Sequence, residues 1–285
     1  MANLEDLPIR DDLKGRKPYG APQLAVPVAL NVNENTHRIP EEVAVDIIGR
    51  LAAAVLEINR YPDREFIGLR NALAEYLGAD LKAENIWAAN GSNEVLQHIF
   101  QAFGGPGRSS LGFGPTYSMY GLIAQGTGTT YVDAPRLERY ELSPELIRSE
   151  ILKHKPNIVM LCSPNNPTGT PLSLSCIEAA YQAVSEATGG IVVVDEAYAE
   201  FGGNTEVSAV NLLQGRERLL ISRTMSKAFA FAGARLGYLA ADPAVIDALR
   251  LVRLPYHLSA FTQAAAEAAL DHSSTMLATV DDIRY

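Results

Sequence analysis

The feature that most constrains the fold is a set of short, continuous apolar runs separated by segments with helical spacing. Such runs occur at residues 156–162 (PNIVMLC), 190–195 (GIVVVD) and 218–222 (RLLIS). Between the first two, residues 175–187 place their apolar side chains on one helical face. Strands that are apolar on both faces and alternate with helices are typical of a mainly parallel sheet flanked by helices. We therefore expect an α/β fold.

Polar residues follow these runs at equivalent places. Asn166 comes after the first run, Asp195 ends the second, and Lys227 comes shortly after the third. In an open α/β sheet, the loops that follow the carboxyl ends of the strands form the binding crevice. We expect these three side chains to meet there.

Lys227 lies in residues 224–235 (TMSKAFAFAGAR). Lysines are mostly solvated, but small apolar residues follow this one, and apolar surroundings help an amine to lose its proton and form a Schiff base with an aldehyde. Arg235 can hold a phosphate as a two-pronged donor. Pyridoxal phosphate carries both an aldehyde and a phosphate, so these residues indicate that cofactor.

Three nearby residues each allow a structural and a functional interpretation. Asp195 could cap a turn, or it could pair with the pyridinium nitrogen and keep the ring electron-withdrawing. Asn166 could belong to a simple turn, because residues 163–169 (SPNNPTG) are rich in turn formers. Tyr198 could be a core aromatic. Alternatively, Asn166 and Tyr198 could both hydrogen-bond the phenolic oxygen of the cofactor.

Four further residues are weaker candidates. Ser92 and Asn93 precede an apolar helical pattern, so they could cap that helix or seat a phosphate at its N-terminus. Tyr117 could pack in the core or stack on a pyridine ring. Tyr61 could be an ordinary loop aromatic or a cofactor contact.

Charge and composition exclude several classes of function. Lys plus Arg number 24 and Asp plus Glu number 33, a net charge of −9, which argues against a general nucleic-acid binder. Two cysteines, Cys162 and Cys176, form no disulfide scaffold, and the histidines have no metal-ligand spacing. The acidic N-terminal stretch lacks the apolar core of a signal peptide, and no apolar run has membrane-spanning length. We expect a cytoplasmic protein without a metal.

The chain divides into three predicted regions. Residues 1–32 are rich in proline and charge and predict an N-terminal arm. Residues 33–256 predict a large cofactor-binding domain, with helical spacing from residue 43 to 55 and from 66 to 77. Residues 257–285 predict the start of a small C-terminal domain that is mostly absent.

Three motifs together carry a resemblance to a known family. SPNNPTG at residues 163–169, VVDEAY at residues 193–198 and TMSKAFAFAGAR at residues 224–235 resemble the fold-type I aminotransferases that use pyridoxal phosphate. Within that group the whole chain is similar to the histidinol-phosphate aminotransferases, particularly those of actinobacteria. The implied fold is the large domain of that type, with a mainly parallel central sheet flanked by helices, plus an incomplete small domain.

The resemblance also implies a role for each matching residue. Lys227 matches the Schiff-base lysine, Asp195 the pyridinium partner, and Tyr198 and Asn166 the phenolate ligands. Tyr117 matches the aromatic that stacks on the ring. The residues that match the phosphate cup are Ser92, Asn93, Ser226, Arg235 and, more weakly, Thr224. Tyr61 matches a tyrosine that reaches the cofactor phosphate of the other subunit of a homodimer, and Tyr19 and Asn33 match residues near the substrate.

The implied reaction is a reversible amino transfer in histidine biosynthesis. Glutamate would give its amino group to the cofactor and leave as 2-oxoglutarate, and imidazole-acetol phosphate would accept the group to become L-histidinol phosphate. An aromatic amino-acid aminotransferase or a threonine-phosphate-type decarboxylase using the same cofactor stays open, because the cofactor residues do not contact the substrate side chain.

The sequence departs from the family pattern in two places. Thr36 stands where family members usually carry proline. Relatives also continue for roughly a hundred further residues as a small domain with an arginine that clamps the substrate. If that domain is missing, we expect a complete cofactor site and an incomplete substrate site. A truncated protein that binds the cofactor without turnover is therefore a third hypothesis.

Overall fold

The computed structural model of the chain describes residues 3–20, 22–205 and 207–284. It divides into two compact units, Met1–Glu34 and Asn35–Tyr285. The first unit contains two short 3-10 helices, Leu4–Asp6 and Asp11–Leu13. The sheet and the α-helices of the described residues belong to the second unit.

The second unit is built on a seven-stranded sheet within the described residues. Its strands are β1 (Ile86–Ala89), β2 (Ser109–Gly114), β3 (Thr130–Pro135), β4 (Ile158–Cys162), β5 (Ile191–Asp195), β6 (Leu219–Thr224) and β7 (Gly237–Ala240). The strand order is β1-β7-β6-β5-β4-β2-β3. Among these strands, β7 alone runs opposite to the others: it pairs antiparallel with β1 and β6, and the other described pairs are parallel. The prediction of a mainly parallel α/β sheet is confirmed.

Helices cover both faces of the sheet. Those in the described residues are α1 (Glu41–Leu56), α2 (Ile67–Leu77), α3 (Ser92–Phe103), α4 (Met119–Gly126), α5 (Pro144–His154), α6 (Leu174–Ala187), α7 (Pro243–Val252), α8 (Ala260–Asp271) and α9 (Ser273–Arg284). Helices α5 and α6 pack against one face, and α1 to α4 pack with α7 and α8 against the other. None of the helices described is long and apolar enough to cross a membrane.

The buried side chains form two apolar cores, a larger and a smaller one, on opposite faces of the sheet. Alternation of side chains along the central strands explains this arrangement. In β4, Met160 and Cys162 face the larger core, and Val159 and Leu161 face the smaller one. Strand side chains alternate between faces with a period of two. A strand buried on both faces therefore has to be apolar at every position, which is why these runs are continuous in the sequence.

Gly237 at the start of β7 lies against the beginning of α3. A β-carbon at this position would clash with the Ser92 nitrogen and the Gly91 carbonyl carbon. Both are backbone atoms that cannot move without shifting the start of the helix. A glycine here is therefore required for the close packing of β7 on α3.

We expect Gly237→Ala to lower the free energy of unfolding by about 1–3 kcal/mol, because the new methyl overpacks a rigid backbone contact. Denaturant unfolding measures the change. Gly233→Ala is the matched control, since a β-carbon there meets no atom within 4 Å. Equal unfolding free energies for the two variants would contradict the proposed contact.

Candidate active site

The carboxyl ends of the central strands are aligned in register. Cys162 of β4 pairs with Asp195 of β5, and Asp195 pairs with Ser222 of β6. The loops that follow continue this pairing, since Ser163 N donates to Asp195 O at 3.0 Å. The three chain segments that carry the predicted polar residues therefore leave the sheet at one edge.

Asp195 is a buried carboxylate at this edge. Its Oδ2 accepts a hydrogen bond of 2.7 Å from Tyr120 Oη, and its Oδ1 accepts one of 3.2 Å from Ala197 N. Burial raises the pKa of Asp195 to about 6, and the hydrogen bond from Tyr120 acts in the opposite direction. The carboxylate is therefore mostly ionised at neutral pH.

The next residue, Glu196, anchors the same strand end. Its Oε2 accepts hydrogen bonds from Arg223 Nη2 at 2.8 Å and Arg223 Nε at 3.0 Å, and its Oε1 accepts one from Ala209 N at 2.6 Å. Buried charges need such partners, because an unpaired one is costly. The pair fixes the backbone from which Asp195 projects.

Lys227 lies in the loop after β6, and its main chain is held by a residue from far away in the sequence. Asn35 Nδ2 donates to the carbonyl oxygens of Lys227 and Ala228, at 3.2 and 3.3 Å. Lys227 Nζ lies 5.9 Å from the centre of the Tyr198 ring. Asn166 Nδ2 donates to Tyr198 Oη at 3.3 Å. Lys227, Tyr198 and Asn166 thus lie close together, and the roles that the resemblance implies for them stay predictions.

The N-terminus of α3 and Arg235 lie next to each other. Ser92 and Asn93 are the first two residues of this helix, where backbone N–H groups and the positive end of the dipole favour negative charge. Arg235 Nη2 donates to Asn90 O at 3.3 Å. A β-carbon on Gly91 would come within 2.5 Å of that nitrogen, so a glycine leaves the room that the guanidinium occupies.

Hydrogen bonds and ring contacts place the other predicted residues. Tyr117 Oη donates to Asn93 Oδ1 at 3.2 Å. The Tyr117 ring lies edge-on to Tyr120, with 5.6 Å between ring centres. Thr224 Oγ1 donates to Ser226 Oγ at 3.0 Å in the loop that leads to Lys227. Tyr117 therefore lies between the α3 terminus and the aromatic partner of Asp195.

Tyr61, Tyr19 and Asn33 are the three remaining predicted residues. Tyr61 is 79% exposed and stacks on Tyr256, with ring centres 4.4 Å apart. Tyr19 and Asn33 belong to the unit of residues 1–34. The roles that the resemblance implies for these three residues stay predictions.

Sequence reasoning missed Tyr120 and Asn35. Tyr120 lies in the first turn of α4, and its partner Asp195 is 75 residues away in the sequence. Asn35 directly precedes Thr36, and its partner carbonyls lie 192 and 193 residues away. No local pattern predicts a contact at that separation.

Comparison with known proteins identifies the family. A profile of the aminotransferase class I and II family matches residues 26–284, which is most of the chain. The chain belongs to the aminotransferase class I and II family. The predicted resemblance to this group of enzymes is confirmed.

Individual relatives agree with this assignment. The histidinol-phosphate aminotransferase of Paenarthrobacter aurescens is 61% identical over 284 residues, covering 100% of this chain and 76% of that protein. The enzyme of the same name from Thermobifida fusca is 54% identical over 283 residues, covering 99% of this chain and 76% of that protein.

Solved structures of the family have the same fold. The histidinol-phosphate aminotransferase of Sinorhizobium meliloti, in complex with pyridoxal-5'-phosphate, superposes with a TM-score of 0.80 at 25% identity. The match covers 88% of this chain and 66% of that structure. The chain thus spans about two thirds to three quarters of the length of these relatives.

Asp195 should make the stability of the cofactor-free protein depend on pH. Its folded pKa of about 6 lies above the ordinary value of 3.8, so its contribution is present below pH 4 and is lost as the pH rises through 6. That difference corresponds to about 3 kcal/mol. We expect the unfolding free energy of the wild-type protein to fall by about this amount relative to Asp195→Asn between pH 4 and pH 7.

Denaturant unfolding of both proteins across this pH range measures the difference directly. Other titrating groups are common to the two proteins, so their contributions cancel in the comparison. Parallel pH profiles would contradict the burial of an ionisable group at this position.

Proposed function

We propose that this chain binds pyridoxal phosphate and transfers an amino group between L-glutamate and imidazole-acetol phosphate, giving 2-oxoglutarate and L-histidinol phosphate. The observation that carries the proposal is the meeting of Lys227, Tyr198 and Asn166 at the sheet edge that ends in buried Asp195. The relatives named histidinol-phosphate aminotransferase, 61% and 54% identical, support the choice of substrates over an aromatic amino acid or a decarboxylation.

The residues of the site fit the chemical groups of pyridoxal phosphate. We assign the phosphate to the α3 terminus with Arg235, and the covalent attachment to the amine of Lys227. Tyr198 and Asn166 are assigned to the phenolic oxygen, and Asp195 to the ring nitrogen. The remaining assignments concern the flat face of the ring and the rest of the phosphate cup: Tyr117 for the ring; Ser92, Asn93, Ser226 and Thr224 for the phosphate.

Each of these side chains has a chemical task that its surroundings support. When bound, pyridoxal phosphate supplies an aldehyde and an electron-withdrawing pyridine ring. Asp195, ionised at neutral pH, would hold a proton at the ring nitrogen. Tyr198 and Asn166 would donate hydrogen bonds to the phenolic oxygen. Lys227 Nζ, which lies 5.9 Å from the centre of the Tyr198 ring, would move the proton at the substrate α-carbon.

We expect the protein with bound pyridoxal phosphate to convert L-histidinol phosphate and 2-oxoglutarate to products at a kcat/KM at least tenfold above that for phenylalanine or tyrosine. A tenfold ratio corresponds to about 1.4 kcal/mol, and the expected preference rests on the relatives named histidinol-phosphate aminotransferase. Steady-state assays with each amino donor measure the ratio.

Lys227→Ala is the control for this assay. It should lose both turnover and the covalent pyridoxyl adduct that borohydride leaves on Lys227 of the wild-type protein. An adduct without turnover would favour the cofactor-binding protein without catalysis. Equal rates with phenylalanine and histidinol phosphate would favour the aromatic aminotransferase, and no adduct at all would exclude the assigned site.

The same proposal includes a homodimer. Helix α1 buries Val43 and Ile47 in the core, yet it also exposes the apolar side chains of Val45, Ile48 and Val55. Exposed apolar surface of this kind favours association. A second copy of the chain is the partner that the family resemblance implies, with Tyr61 reaching the other subunit. We also place the enzyme in the cytoplasm, in keeping with two unpaired cysteine thiols.

We expect Ile48→Asp to shift the protein from dimer to monomer, because a charge would have to be desolvated at the interface. Sedimentation over a range of protein concentrations measures the mass. Leu152→Asp, which also places a charge at an exposed apolar position but on α5, should leave the dimer unchanged. A monomeric wild-type protein would refute the proposed interface.

A further inference from the structure

The loops that carry Tyr117 and Asn166 are joined through one buried amide. Asn165 is 2% exposed and lies between Pro164 and the predicted cofactor ligand Asn166. Its side chain reaches across to the loop after β2, where residues 115–118 contain Tyr117. The two loops follow neighbouring strands, since β2 pairs with β4.

All four hydrogen-bonding positions of the Asn165 amide are occupied. Its Oδ1 accepts hydrogen bonds of 2.8 Å from both Thr116 Oγ1 and Arg136 Nη2. Its Nδ2 donates to Pro115 O at 3.0 Å and to Thr168 Oγ1 at 2.7 Å. An amide has two donor hydrogens and two acceptor lone pairs, so this side chain is saturated. Each of the two loops receives bonds from it.

Arg136 connects this amide to the strand ends. Its Nε donates to Phe113 O at 2.8 Å, and its Nη1 donates to Tyr140 O at 3.0 Å, while Nη2 holds Asn165. Burial lowers the pKa of Arg136, but a guanidinium stays protonated and keeps its planar set of donors. The guanidinium therefore fixes the position of Asn165 relative to β2 and the loop after β3.

We infer that Asn165, held by Arg136, is a positioning residue that sets the separation of the Tyr117 and Asn166 loops and thereby the slot for the cofactor ring. The inference rests on the proposed function, in which Tyr117 stacks on the ring and Asn166 contacts its phenolic oxygen. A slot that is defined on two sides by separate loops keeps its width only if the loops are tied together. Asn165 is that tie, because its amide bonds to Pro115 and Thr116 on one loop and to Thr168 on the other.

The first test is the binding of pyridoxal phosphate to Asn165→Ala. We expect the dissociation constant to rise about tenfold or more, and the circular dichroism per bound cofactor at roughly 410–430 nm to change, because the ring loses its fixed orientation. Asn157→Ala is the matched control. Asn157 also joins β2 to β4, through Ser109 N, but at the opposite end of these strands.

The control separates positioning from stability. We expect Asn157→Ala to lower the unfolding midpoint and to leave the dissociation constant within about twofold and the dichroism unchanged. If Asn165→Ala behaves in the same way, the inference is wrong. If the wild-type protein itself binds no pyridoxal phosphate, the proposed function fails instead, and the two failures are therefore distinguishable.

A double-mutant cycle keeps the inference testable if Asn165→Ala folds poorly. Thr116→Val and Thr168→Val keep the shape of the side chain and each remove one bond to the amide. Each should weaken cofactor binding, and the combined variant should show a coupling between the two loops. Additive effects of the two threonine variants would contradict a shared tie.

Discussion

The in-register pairing of buried parallel strands is the constraint on which the site depends. Because β4 and β5 are covered on both faces, their register cannot slip by one residue without moving apolar side chains to the wrong core. This register places Cys162, Asp195 and Ser222 side by side. The loops that follow these three strands therefore begin side by side at one edge of the sheet.

The side chains of Asp195 and Glu196, at the end of β5, point in opposite directions and make different contacts. Asp195 points into the core that contains Tyr120, where burial raises its pKa and a phenol orients it. Glu196 points the other way and pairs with Arg223. The phenol of Tyr120 therefore orients one acid, and the other holds the strand end in place.

The candidate site is supported by contacts between distant segments rather than by local structure. Asn35 holds the main chain of Lys227, and Asn165 joins the loops that carry Tyr117 and Asn166. Both are amides, which donate and accept at once and can bridge backbone and side chains. Rigid support of this kind keeps a cofactor site precise although its members lie on loops.

The sequence by itself determined the fold class and the residues with reactive groups. Continuous apolar runs require two-sided burial, and the polar residues after them identify Asn166, Asp195 and Lys227. The tertiary structure alone decided which distant side chains contact these residues and their neighbours. Tyr120 meets Asp195 across 75 residues, and Arg136 meets Asn165 across 29, because strand order rather than chain order brings them together. Local sequence patterns predict helices, strands and turns. The order in which strands pair depends on the packing of the whole core.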